Sequence, residues 1–161
     1  MDAEGAQSEI LKPLTGTDEA VVDSKGRLLL SKKKRLRLGD KFAMAIGPLG
    51  CLVAIPEPVW ARMLREIDQF DSINFGRQNY TRLVLGSAED DLDCDAQGRV
   101  VIPQKLRTIA RIESDVVLVG CGDRLEVWAK PEWEKFNEFP EVYGKERREA
   151  VERAYAQMVG R

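Results

Sequence analysis

Apolar residues along this chain fall into short runs separated by glycine-containing turns, and the spacing inside each run decides which element it predicts. Ala20, Val21 and Val22 lead as a short strand into a turn at Asp23. Leu28, Leu29 and Leu30 follow as a continuous aliphatic run, the pattern of a strand with much of both faces buried. Between them Gly26 suits the positive φ that a tight hairpin loop demands, and the Asp23 carboxylate can accept hydrogen bonds from the loop amides. Phe42–Ile46 and Cys51–Ile55 read as two strands joined by a Gly-Pro-Leu-Gly turn at 47–50. From Pro58, taken as an N1 proline, Trp60, Met63, Leu64 and Ile67 recur at helical spacing and predict a helix with one core-facing side. A second helix is predicted over Phe75–Leu85, with Asp71 or Ser72 near its start and Gly86 as its stop. Strands at Arg99–Ile102, Val116–Val119 and Arg124–Trp128 come next, then a short helix from Pro131. A final amphipathic helix spans Glu141–Val159, where Val151, Ala154, Tyr155 and Met158 recur at i, i+3, i+4 and i+7.

The two halves share a pattern because they repeat. DSKGRLLLSKKKRLR begins at Asp23, and DAQGRVVIPQKLR begins 72 residues later at Asp95. At an offset of 73, Gly47, Leu52, Pro58 and Trp60 fall on Gly120, Leu125, Pro131 and Trp133. Each copy is too small to bury its own hydrophobic face, so the two should pack on each other.

Composition narrows the classes of function. At 161 residues, 43% hydrophobic and 32% charged, the chain fits one domain or two interlocked halves. With no histidine and three widely spaced cysteines (Cys51, Cys94, Cys121), the residues disfavour a zinc site, a disulfide framework and a histidine-activated nucleophile. No long apolar stretch or signal-peptide pattern is present, so the expected location is cytoplasmic, with no membrane partner and no cofactor.

A net charge of −2 argues, taken alone, against a nucleic-acid partner, but the charge is uneven. Residues 1–20 carry −4, residues 21–82 carry +6, residues 83–136 carry −4 and residues 137–161 are neutral. The first repeat is basic and the second acidic. Lys32, Lys33, Lys34, Arg35, Arg37 and Lys41 concentrate positive charge beside a hairpin that itself supplies Lys25 and Arg27. Glu89, Asp90, Asp91, Asp93 and Asp95 form an acidic cluster; its carboxylates suit hard cations, but the calcium-loop pattern is not in register, so the expectation is an exposed acidic connector or a surface facing a basic patch on a neighbouring subunit.

Two D-x-x-G-R turns, the segment LVLGSAE at 83–89, and VVLVGCGDRLEVW at 116–128 followed by PEW at 131–133 resemble the MraZ family. These are bacterial transcriptional regulators of the AbrB-like, swapped-hairpin group, encoded at the head of the division and cell-wall gene cluster. The resemblance covers roughly residues 14–136. It implies an α+β fold in which two β-hairpin repeats interlock into one swapped-hairpin, β-barrel-like core with peripheral helices. It also implies a ring-shaped homo-oligomer that binds repeated boxes in double-stranded promoter DNA, repressing its own promoter and the division and cell-wall cluster from the nucleoid. The family's DNA-contacting motif falls on Asp23, Lys25, Gly26 and Arg27 in the first turn and on Asp95, Gly98 and Arg99 in the second. Leu14-Thr15-Gly16 stands where the family usually opens with F-x-G, and Ser31 stands where proline is usual and where the second repeat has Pro103.

The expected organisation is an acidic mobile tail (1–15), a first repeat (16–70), a connecting helix (71–88), a second repeat (89–136) and a C-terminal amphipathic helix (137–161). The expected DNA-binding residues are Lys25, Arg27, Lys32, Lys33, Lys34 and Arg35. Lysines neutralise phosphates, whereas the Arg27 fork can pair with guanine O6 and N7. Asp23, Gly26, Asp95 and Gly98 shape the turns, and Arg99 is a structural or secondary contact. Two other classes compete: a protein-interaction scaffold of the same fold, in which DNA contact is incidental, and a metal-dependent enzyme using the carboxylates of 89–95. No small-molecule substrate is expected.

Overall fold

The computed structural model describes residues 12–161. The expected acidic tail therefore lies largely outside the described residues, but its last part is anchored: Leu14 is 1% exposed and exchanges two backbone hydrogen bonds of 2.8 Å with Gly122. From there the chain runs through β1 (Thr17–Val21), β2 (Arg27–Leu29), α1 (Lys32–Leu38), β3 (Phe42–Ile46), β4 (Leu52–Pro56), α2 (Glu57–Asp68) and α3 (Phe75–Leu85). The same order then returns as β5 (Glu89–Leu92), β6 (Arg99–Val101), α4 (Gln104–Ile109), β7 (Asp115–Gly120), β8 (Leu125–Ala129), α5 (Lys130–Glu138) and α6 (Lys145–Val159). Each repeat is thus β-β-α-β-β-α-α, and α3 and α6 are its seventh element in each half.

The strands interlock across the repeats. Six form one antiparallel sheet in the order β1-β7-β8-β4-β3-β5, and β2 pairs with β6 in a separate two-stranded ribbon. The first strand of each repeat is handed to the other: β1 lies along β7 and β5 along β3, while β4 and β8 meet at the centre. The sheet does not close into a barrel, and β1 and β5 are its edges.

Both faces of the sheet are covered, which explains the unbroken apolar runs of β3 and β4. One face packs under the ribbon, where Leu28, Val100, Leu30 and Ile102 meet Phe42, Met44, Leu52 and Val127. The other carries α2 and α5 over Val53, Ile55, Val117 and Trp128. The Trp128 ring lies 5.3 Å from Trp133, 5.2 Å from Phe136 and 5.7 Å from Tyr143. Beside it the buried Glu132 accepts hydrogen bonds from Tyr143 (3.0 Å), Lys135 (3.0 Å) and Arg111 (3.3 Å).

Several local expectations change. The Leu28–Leu30 run is buried on one side only, because Leu29 faces outward and is 59% exposed, and the final helix begins at Lys145 rather than Glu141. Pro58 is the second residue of α2, because the helix already begins at Glu57. The cap of α3 is Asn74, whose side chain accepts from the Arg77 amide; Asp71 Oδ1 is used earlier, by the Ile73 amide, in the turn that delivers the chain to the cap. The run Lys32–Leu38 is a helix, α1, capped by Ser31 Oγ accepting from the Lys34 amide. Ser31 and Pro103 occupy the same N-cap position of α1 and α4, so one caps by side chain and the other by a preset φ near that of its counterpart.

Helices α3 and α6 run antiparallel and pack at close range. Asn74 Nδ2 donates to the Met158 carbonyl at 3.0 Å, and at the opposite end the Arg147 guanidinium donates to the carbonyls of Gly47 (2.8 Å), Ile46 (3.0 Å) and Leu83 (2.9 Å). A β-carbon at Gly76 would sit 2.1 Å from the Met158 backbone nitrogen. Gly76→Ala is therefore expected to force the helices apart and cost about 1–3 kcal/mol. The midpoint of urea unfolding measures it, with Gly86→Ala unsuited as a control because its β-carbon would meet the Arg82 carbonyl at 2.5 Å.

Candidate nucleic-acid interface

The two turns are built alike from local hydrogen bonds. In the first, the Gly26 amide donates to the Asp23 carbonyl (2.9 Å) and the Asp23 amide to the Arg27 carbonyl (3.0 Å). Asp23 Oδ1 accepts from the amides of Lys25 and Arg27, both at 2.9 Å, and Oδ2 accepts from Arg27 Nε at 2.6 Å. In the second, Asp95 Oδ1 accepts from the amides of Gln97 and Arg99, and Oδ2 from Arg99 Nε, all at 2.9 Å. Gly26 and Gly98 hold φ of +80° and +84°, a region closed to most side chains. The hydrogen bonds to each carboxylate, led by the Arg27 or Arg99 amide, hold both aspartates below their ordinary range. Asp23 and Asp95 thus shape the turns, and in doing so fix the Nε edge of each arginine. The terminal nitrogens of Arg27 and Arg99 take no partner among the described residues.

Beyond the turns, the ribbon has an inner and an outer face. Leu28 and Val100 point inward and are buried. Arg27 stands opposite Val101 and Leu29 opposite Arg99, so the outer face carries two arginines and two aliphatic side chains in a two-fold arrangement. Leu29 is 59% exposed and Val101 55%. Gly26 bonds to Ile102 and Gly98 to Leu30, which sets the turns at opposite ends of the ribbon, four residues or about 14 Å apart.

The basic run does not form one charged face. Helical periodicity turns Lys32, Lys33 and Leu36 outward, where with Arg37, Pro56 and Pro58 they line an open cavity of about 840 Å³. Lys34 points inward, 6% exposed, with its Nζ on the Asp18 carboxylate of β1. The Arg35 guanidinium lies against Gly98 of the other repeat. Of the six expected DNA contacts, Lys25 and Arg27 share a turn, Lys32 and Lys33 share an exposed helix face, and Lys34 and Arg35 are committed to contacts inside the protein. Leu29 and Val101 on the outer face of the ribbon were not anticipated, nor was Arg107, whose guanidinium lies against Gly26; the offset of 72 that pairs Arg35 with Arg107 was the available signal.

The acidic cluster is an edge strand rather than a connector. Most of it lies in β5, where Glu89 pairs with Lys105 (2.8 Å) and, just beyond, Asp93 with Lys41 (3.4 Å). Charge of this kind discourages edge-to-edge pairing. Among the described residues no three of His, Cys, Asp and Glu gather where they could hold a metal ion. The Cys121 thiol is pushed up to about 11, first by burial and then by Glu126, which leaves little thiolate. Among the described residues no helix is long and apolar enough to cross a membrane.

Two copies of one seven-element unit, interlocked by strand exchange and presenting paired Asp-tethered arginines, define a tandem swapped-hairpin protein. The family model for the MraZ protein matches residues 14–82 and 85–154, taking in most of α3 and most of α6. The chain belongs to the MraZ family. A relative from Bifidobacterium longum is 38% identical over 76% of this chain and 81% of its own length. Relatives from Heliobacterium modesticaldum (32% identical, 76% and 85% covered) and Caldanaerobacter subterraneus (33%, 80% and 90%) match similarly. All three carry the name transcriptional regulator MraZ, and the family is one of regulators rather than enzymes.

The aspartate tethers predict an acid-limb signature. Because each folded-state carboxyl lies below its ordinary value of 3.8, the stabilisation is fully present above that value and is lost as pH falls through the lowered one. In urea unfolding, the midpoint gap between the wild type and the Asp23→Asn, Asp95→Asn double variant should be constant near neutrality and narrow as pH drops below about 3.8.

Proposed function

We propose that this chain is a sequence-specific, DNA-binding transcriptional regulator, acting in the cytoplasm at the nucleoid as a repressor of its own promoter and of the division and cell-wall gene cluster. The observation that carries this reading is the outer face of the β2–β6 ribbon, where Arg27 and Arg99 are aimed by their own turn aspartates. An arginine held at Nε keeps its terminal fork for the bidentate contact with guanine O6 and N7 in the major groove, a groove wide enough for a two-stranded ribbon. Leu29 and Val101 supply apolar contacts of the kind that thymine methyl groups accept. Lys25, Lys32 and Lys33 serve phosphates, giving affinity and register with little sequence information.

A single three-residue ribbon offers a small contact, so discrimination requires several. A ring of subunits presenting first-repeat turns along one DNA face would engage repeated promoter boxes at high effective concentration. The basic first repeat is the principal reader and the acidic second repeat its scaffold; the turns have the same shape, so this division rests on charge and on the company each turn keeps.

The test is a binding titration with duplex from directly upstream of the gene and with random duplex, across salt concentration. Arg27→Ala should abolish the preference for the upstream duplex at unchanged native mass, and Arg99→Ala should weaken it less. Replacing Lys32 and Lys33 with serine should lower affinity for both duplexes alike and flatten the salt slope by up to about 0.9 per lysine. Retention of the preference in Arg27→Ala would overturn the reading.

A further inference from the structure

Each turn glycine is covered by an arginine from the opposite repeat. A β-carbon at Gly26 would lie 2.7 Å from Arg107 Cζ and 2.9 Å from its Nε and Nη2. At Gly98 the equivalent distances are 2.7 Å to Arg35 Nε, 2.8 Å to Cζ and 2.9 Å to Cδ. The guanidinium therefore occupies the space that any other residue would give to its side chain, and the turn backbone rests on it. Arg107 and Arg35 lie on α4 and α1, 72 residues apart, like the glycines they cover.

The two clamps differ in completeness. Arg107 Nε donates to the Ile102 carbonyl at 3.0 Å, and the Ile102 amide donates to the Gly26 carbonyl at 2.8 Å. The second repeat thus holds the peptide immediately before Arg27 by a covering guanidinium and a bonded strand end together. At the other turn the Leu30 amide donates to the Gly98 carbonyl at 3.0 Å, but Arg35 Nε is buried with no hydrogen-bond partner among the described residues. A guanidinium short of one hydrogen bond holds its turn less firmly.

We propose that Arg107 is the positioning residue that aims Arg27 at DNA, and that Arg35 is its weaker counterpart for Arg99. Each repeat sets the reading geometry of the other, and Arg35, a member of the basic run, acts on the second turn and not on phosphate. The inference rests on the ribbon face being the DNA-reading surface. It also gives the first turn its advantage as reader: the same local hydrogen bonds, plus a fully bonded clamp from the scaffold repeat.

The experiment uses Arg107→Lys, which keeps the charge and loses the plane, and Arg107→Met, which keeps only the stem. Both should lower the preference for the upstream duplex at least tenfold, with native mass and the salt slope on random duplex unchanged. Adding either Arg107 change to Arg27→Ala should cause no further loss. A readout without DNA separates this from the regulator reading: the NMR signal of Arg27 Nε–H should shift in Arg107→Lys and stay in place in Arg35→Lys. Should Arg27→Ala leave DNA binding intact, the DNA reading fails while that signal still judges the clamp. An unmoved Arg27 signal, full activity of Arg107→Lys, or losses that add for Arg107 and Arg27 would each overturn the proposal.

Discussion

Pairing between β2 and β6 is the constraint on which the rest depends. Each is three residues long, and the glycine carbonyl of the turn before each accepts from the amide just beyond the end of its partner. Leu28 and Val100 seal the core from above only when the two strands lie together. A single repeat would leave those backbone groups and that apolar surface in water, and it would also lack the first strand lent by the other half. Strand exchange at β1, β5 and the central β4–β8 pair then follows from the same need. The two halves form one cooperative body because neither contains a complete sheet.

Much of this was readable from spacing. The offset of 72 announced two copies, the glycines marked both turns, and the apolar runs at 42–46 and 51–55 marked two paired strands. The misreadings have local physical causes. Lys32–Leu38 offered charge so dense that it hid a helix, and with it the inward turn of Lys34 toward Asp18, a partner sixteen residues away that no short-range pattern links to it. Asp71 was an equally good cap by type; the turn over 71–74 consumed it first. The helices α3 and α6 were seen, but their mutual packing depends on one glycine meeting a helix backbone 82 residues later, and that contact has no sequence period.

The site was legible in its chemistry and not in its symmetry. Asp23, Gly26 and Arg27 do what residue types in that order suggest: the carboxylate folds the turn and holds an arginine by one edge. Counting charge separated a basic repeat from an acidic one and made one look functional and the other structural. In three dimensions the turns match bond for bond, and the ribbon sets both arginines on one face. Charge and geometry therefore say different things. In the proposed DNA reading, geometry sets where a base can be read and charge sets how strongly the backbone near each turn is attracted, so the first turn would be favoured in affinity without being different in kind.

The contact that reconciles them runs between repeats. A β-hairpin turn is ordinarily shaped by its own residues, and a variant in one turn would then leave the other untouched. Here the glycine of each turn leans on an arginine of the opposite half, whose helix begins directly after the opposite strand of the ribbon. Any displacement of α4 moves the support beneath Gly26, and any displacement of α1 moves that beneath Gly98. On the proposed function, the acidic repeat would therefore be indispensable to recognition without touching DNA. As the scaffold of the proposed reader its role would be specific, because the part it supports is the Gly26–Arg27 peptide.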